Sequence, residues 1–369
     1  MKMTARSARI SVGTFGGEFD PRSNSLTSLR LILATMVAAA HAGAIGSGQQ
    51  PVIGDTEVGA LAVDAFFVLS GLLITRSYLQ LGSIGRFAWH RILRILPAYY
   101  VVLILTAGVV APIVAALEGR TPWSVFVGDT PSYEYVVSNS LLLARSFSVA
   151  ELPTGTFVPG VINGSLWTLF YEAVCYAGVV VLGVCGLLRH RWLILAGIVL
   201  FSGALALQAT GVADASGGRM LRFGLLFLIG VAGWLYRDDI PIRPSLAVAA
   251  MAVLFASLIL ATDYRPFGAL AFGYVCLWAV VRTSWLRPGP RDDLSYGVYV
   301  FHWPVEVILA AMGATGMTQL GFTVAALTLT FALAFASWRL IERPALSHKS
   351  RRPPVWLGRL LPRRWVAVR

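Results

Sequence analysis

Ten stretches of this chain are apolar over close to the roughly twenty residues that a helix needs to cross a bilayer, and nothing else in it constrains the fold as much. They run at about 29–47, 58–80, 97–117, 165–188, 192–210, 219–236, 244–262, 266–282, 294–313 and 319–341. Backbone can lie in lipid only where its amides and carbonyls satisfy one another, so the pattern predicts an all-α polytopic membrane protein, a bundle of about ten transmembrane helices. A charged fraction of 13% and a mean hydropathy of +0.71 exclude an ordinary soluble domain. In a soluble protein the net charge of +12 would suggest nucleic acid. Here the basic residues punctuate apolar segments, so the charge is read as orientation and no nucleic-acid partner is expected.

Ten crossings put both termini on one side. If that side is the cytoplasm, Arg76, Arg86, Arg91, Arg94, Arg189, Arg191, Arg237, Arg243, Arg282, Arg287, Arg291 and the basic tail from Arg343 to Arg369 all fall inside. Only Arg120, Arg145 and Arg265, with Arg219 and Arg222 at a helix entrance, fall outside. The expectation is a multi-pass cell-membrane protein with a cytoplasmic tail over 1–25, a membrane unit over 26–344 and a basic cytoplasmic tail over 345–369. The first thirty residues lack an apolar core, so no cleavable signal is expected, and no soluble domain is expected at either end.

Leu81 to Leu96 interleaves apolar residues with Arg86, His90, Arg91 and Arg94, which predicts a short interfacial amphipathic helix, anchored to anionic lipid or binding phosphate. The longest outer loop, Glu118 to Asn163, contains an apolar piece, Tyr135 to Ala144, too short to span and suited to re-enter the membrane or cap an outer cavity. Cys175, Cys185 and Cys276 have neither disulfide nor metal-ligand spacing and are expected to be small buried packing residues.

Ionisable groups at bilayer depth are costly and mark function by default. His41 lies eleven residues after Arg30, about three helical turns and roughly 16 Å along one face. A neutral imidazole there can take the proton of a hydroxyl. Asp64 needs a partner, for which His41 is the economical choice. Glu172 is a second carboxylate on an outer half-helix, and His302 and Glu306, four residues apart, are expected to pair on one face. Ser70 has no base beside it by spacing, so Ser70-Gly71 reads more simply as close helix packing than as a nucleophile. Arg219 and Arg222 run against the positive-inside trend and are expected to meet an anion or a buried acid. Glu342-Arg343-Pro344 reads as a helix stop with a flanking ion pair.

These residues, taken in order, resemble the acyltransferase-3 family of integral membrane O-acyltransferases. Leu29-Arg30 followed by His41 is similar to its first-helix motif, Val63-Asp64-Ala65-Phe66-Phe67-Val68-Leu69-Ser70-Gly71 to its second, and Arg91-Ile92-Leu93-Arg94-Ile95-Leu96-Pro97 to the start of its third. Trp167, Tyr171 and Glu172 match its fourth-helix pattern, Tyr296 with Phe301-His302-Trp303-Pro304 its ninth, and Glu342-Arg343-Pro344 its end. The chain departs where Thr27-Ser28 replaces a common Asp-Gly and Ala62 a common Gly. The resemblance implies acyl transfer from cytoplasmic acyl-CoA, most often acetyl-CoA, to a hydroxyl of a sugar, surface polysaccharide, lipid-linked saccharide or glycosylated metabolite, with no permanently bound cofactor or metal. It assigns His41, Asp64 and Glu172 to catalysis and Arg30, Arg91 and Arg94 to the donor. Ser70, Trp167, Tyr171, Arg222, His302 and Glu306 are left as substrate or structural support. Two other classes fit midplane charges: a transporter or flippase, which leaves a thioester uncleaved, and a noncatalytic scaffold, which tolerates loss of Arg30 and His41.

Overall fold

The structure, a computed structural model, describes residues 13–127, 130–211, 217–287, 292–351 and 353–354; Arg291 and most of the basic C-terminal tail lie outside them. It is all-helical apart from one two-stranded ribbon, with Val52 opposite Glu57 and Ile53 opposite Thr56. After the single turn α1 (Phe15–Glu18), the helices are α2 (Leu26–Ser47), α3 (Val58–Leu81), α4 (Ile84–Leu105), α5 (Ala111–Leu117), α6 (Ser132–Asn139), α7 (Thr168–Val184) and α8 (Arg191–Ala209). There follow α9 (Gly218–Leu235), α10 (Pro244–Leu260), α11 (Arg265–Arg282), α12 (Ser295–Ala311), α13 (Gln319–Ser337) and α14 (Arg343–Ser347). Among the described residues six helical stretches are long and apolar enough to cross a bilayer: α2, α3, the run from α4 to α5, α8, α9 and the run from α13 to Ser350. The shorter α7, α10, α11 and α12 fall on the remaining apolar stretches.

Local sequence sets the helix ends. The Asn24 side chain accepts from the Leu26 amide at the start of α2, and Gly48, at φ 72°, ends it by donating its amide to the Ala44 carbonyl. Ser83 caps α4 through the Arg86 amide. The α2 helix packs between α3, α12 and α13, while α3 lies against α9. At that last crossing Gly71 meets Gly230. A Cβ on Gly71 would overlap the Phe227 carbonyl oxygen, and one on Gly230 that of Val68, so only glycine permits the approach. Between helices in lipid, close backbone contact replaces the hydrophobic drive of water.

Four expectations change. The stretch Leu81 to Leu96 is not a separate interfacial helix. Ile84 opens one helix that runs through Pro97 and a π-helical turn at Thr106–Val110 to Leu117, 34 residues in all. At 1.5 Å per residue this is roughly 50 Å, more than a bilayer core, so its basic first turns project beyond the apolar belt without a break. Pro344 does not stop α13: a second π turn, Trp338–Glu342, carries the helix on, and Pro344 follows it as the second residue of α14. Glu342 is buried and faces Arg94 at 3.6 Å, with Ser337 Oγ donating to it, rather than pairing with its neighbour. Of the cysteines only Cys175 is buried; Cys276 is half-buried and Cys185, at the end of α7, is exposed.

Residues 13–25 are folded against the bundle. Phe15 is buried, its amide donating to the Ile240 carbonyl, and Glu18 pairs with Arg282. The apolar piece around Tyr135 is held under the rim of α4: Tyr99 and Tyr100 donate to the Asn139 and Ser140 carbonyls.

Candidate active site

A cavity of about 380 Å³ opens among α2, α3, α4, α7 and α12. At the end of the bundle that holds residues 13–25 it is lined by Arg30, Arg91, Arg94 and Lys349, and farther in by Ser70, Glu172, Thr168 and Tyr299. Arg30 and Arg94 reach the same Asp293 oxygen, at 2.9 and 2.6 Å, and Ser295 Oγ donates to its other oxygen. Burial alone would raise the Asp293 pKa, but the two guanidiniums and Ser295 outweigh it and hold the carboxyl well below the usual carboxylate range. Asp293 escaped the sequence reading, though Asp292-Asp293 is an acidic pair in an otherwise basic connection and signals a cationic partner. In the wall, Ser70 Oγ donates to Glu172 at 3.1 Å, and Tyr176 donates to the same carboxylate oxygen.

Beyond the inner end of this cavity stand two histidines. Tyr299, hydrogen-bonded to Thr168, presents its ring edge to His302 with centroids 6.1 Å apart. His302, fully buried one turn along α12, holds its Nε2 2.9 Å from His41 Nδ1. Geometry fixes the tautomers. His302 Nδ1 lies 3.2 Å from the Val298 carbonyl, which can only accept, so Nδ1 carries the proton and Nε2 a lone pair. His41 Nδ1 must therefore donate to it, leaving His41 Nε2 with its lone pair free. The Trp303 ring meets His41 at 4.7 Å with an interplanar angle of 63°. Trp303 Nε1 in turn donates to the Val161 carbonyl, and Asn163 Nδ2 to that of Val300, so the long loop is tied down over the pair.

The expected His41–Asp64 pair is absent. Asp64, completely buried, accepts from Arg222 Nε at 2.8 Å, from Arg265 Nε at 2.8 Å and from Tyr264 OH at 2.8 Å, with Arg265 Nη2 at 2.7 Å. Two guanidiniums neutralise a buried carboxylate better than a neutral imidazole can, and they explain why arginines stand at this end of the bundle. Glu172 likewise does not reach His41. The His302–Glu306 pair is also absent: His302 turns to α2, and both Glu306 oxygens are buried without a hydrogen-bond partner among the described residues. Trp167 and Tyr171 join Phe223 in an aromatic cluster, with Arg219 over the Trp167 ring at 4.9 Å.

The structure is thus a helical bundle with membrane-length helices, a cavity lined by cations and a histidine pair next to it. Residues 23–339 match the family described as an acyltransferase domain, and the chain belongs to that family, acyltransferase-3. It is similar to an O-acetyl transferase of Shigella phage Sf6, 26% identical over 89% of this chain and 98% of that protein. It is also similar to nodulation protein 10 of Rhizobium leguminosarum bv. viciae, 28% identical over 88% of this chain and 93% of that protein. A third relative, the exopolysaccharide production protein ExoZ of Rhizobium meliloti, is 27% identical over 78% and 90%. No solved structure matches the chain.

Proposed function

We propose that this acyltransferase carries an acetyl group from cytoplasmic acetyl-CoA to a hydroxyl of a saccharide, as part of a surface polysaccharide, a lipid-linked sugar or a glycosylated metabolite. The membrane unit has ten spans with both termini in the cytoplasm. The name of the phage O-acetyl transferase supports acetyl transfer to oxygen, that of the exopolysaccharide protein supports a saccharide acceptor, and the cationic end of the cavity supports the donor.

The observation that carries the reading is the lone pair on His41 Nε2, left free by the relay from Val298 through His302. The donor enters between Arg30, Arg91 and Arg94 with its thioester toward Tyr299. His41 Nε2 takes the proton of the acceptor hydroxyl while the oxygen attacks the thioester carbonyl carbon. The C–S bond of the tetrahedral intermediate then breaks, and the thiolate leaves with the proton returned from His41. His302 accepts from His41 Nδ1 throughout and stabilises the imidazolium. Asp64 holds α3, α9 and α11 together around the site rather than acting on the imidazole, and Glu172 with Ser70 and Tyr176 shapes the cavity wall.

Labelled acetyl-CoA incubated with membranes holding the protein, and with His41→Ala, tests this. The expected result is label on acceptor glycan with the parent and none with the variant, at equal protein in the membrane. Undiminished transfer by His41→Ala would remove the base, and import of substrate with an intact thioester would point to a transporter instead.

A further inference from the structure

The charges lining the cavity do not balance. Arg30 and Arg94 share Asp293, and Arg94 also faces Glu342. Arg91 and Lys349 have no carboxylate within ion-pair distance among the described residues, and Arg91 Nε is buried without a hydrogen-bond partner. Glu172, the other carboxylate of the lining, is already engaged by Ser70 and Tyr176. Arg30, Arg91, Arg94 and Lys349 thus meet only the carboxylates of Asp293, Glu172 and Glu342 around one cavity, and the surplus of positive charge favours an anion there.

Lys349 does not hang there on a loose tail. After α14 the chain turns beneath α4, where Trp89 Nε1 donates to the His348 carbonyl at 3.2 Å and His90 Nε2 donates to the Lys349 carbonyl at 3.2 Å. Two adjacent side chains of α4 therefore grip two adjacent backbone groups, fixing where the lysine side chain starts. Leu346 of the same strap and Trp338 also line the cavity. The family match ends at residue 339, so Leu346 and Lys349 lie beyond the matched residues.

We propose that the strap from Arg343 to Ser350 is part of the donor site and that Lys349, with Arg91, takes phosphate groups of the donor. The inference rests on the reading of the donor as a phosphate-bearing thioester. Arg30 and Arg94, already neutralised, form the cavity wall, while the two unpaired cations supply the net attraction. A phosphate fits the pair because it carries more than one negative charge and several acceptor oxygens.

The test uses the full chain purified in detergent. Calorimetric titration with CoA is expected to show Lys349→Gln binding about tenfold more weakly than the parent, with a shallower salt dependence, while Lys349→Arg stays close to the parent. In turnover, the loss of kcat/KM caused by Lys349→Gln is expected to be about tenfold greater with acetyl-CoA than with the acetyl thioester of N-acetylcysteamine, which has no phosphate. Equal CoA affinity of Lys349→Gln and parent overturns the proposal and leaves the donor reading standing. Equal losses with the two thioesters also overturn it, since a merely structural lysine would do that. A parent protein that binds no CoA removes both readings together.

Discussion

Replacing Asp64 by Asn should unsettle the fold far more than replacing His41 does. Asp64 is fully buried and neutralises Arg222 and Arg265, whose side chains are only 21% and 11% exposed. Asparagine keeps the size and one acceptor oxygen but removes the charge, leaving Arg222 with no carboxylate among the described residues and Arg265 with Asp263 alone, at 2.9 Å. Breaking a buried pair from one side costs about 3–5 kcal/mol, because the remaining charge stays desolvated. His41, by contrast, is half-buried and shares one hydrogen bond with His302, so His41→Ala should cost stability about 1–2 kcal/mol. Reversible unfolding in mixed micelles, followed by tryptophan fluorescence, measures both. If Asp64→Asn unfolded within about 1 kcal/mol of the parent yet lost turnover, the carboxylate would belong to the reaction, and its assignment as a clamp between α3, α9 and α11 would be wrong.

Two further outcomes follow from the geometry. His302→Ala removes the acceptor that fixes the His41 tautomer, so kcat should fall on the order of a hundredfold or more with the donor KM little changed, as measured by initial rates against acetyl-CoA; a KM effect alone would contradict the relay. Asp293 has its folded pKa depressed by Arg30 and Arg94, so its contribution to stability is fully present above the unfolded value near 4 and is lost as pH falls below it. Glu342, a second buried carboxyl, faces the same Arg94, so the comparison carries Glu342→Gln in both proteins; the difference in melting temperature with and without Asp293→Asn should then be constant from about pH 7 to 5 and shrink on further acidification, and a difference that changed between pH 7 and 6 would implicate another group.

The helices were legible because apolar length is a local property: eight of the ten sequence stretches match a helix within a few residues, while the third lies in a helix that begins at Ile84 and the last in one that runs past residue 341. Partnerships were not. His41 meets a residue 261 positions away, and Asp64 meets Arg222 and Arg265 at separations of 158 and 201. Helical spacing says which residues share a face, so His302 and Glu306 stood out together. It does not say which way a ring turns, and the Val298 carbonyl and α2 decide that. The arginine motif of α4 was readable, whereas Asp293 and Lys349 were not, since each lies in a connecting segment whose path depends on the packed bundle. The break expected near Pro97 failed for a different reason. Amphipathic sequence describes the surroundings of a helix along its length, and a single long helix that leaves the lipid satisfies the same pattern.

The π turn at Trp338–Glu342 amounts to an α-helix holding one residue too many. Everything after it is rotated by roughly 100° relative to an uninterrupted helix. Deleting one residue from this turn would restore regular winding and swing the whole strap around the axis, carrying Lys349 off the floor of the cavity without altering any side chain. The length of one helical turn, counted in residues, therefore sets which face of the strap meets the cavity, independently of the packing around the histidines.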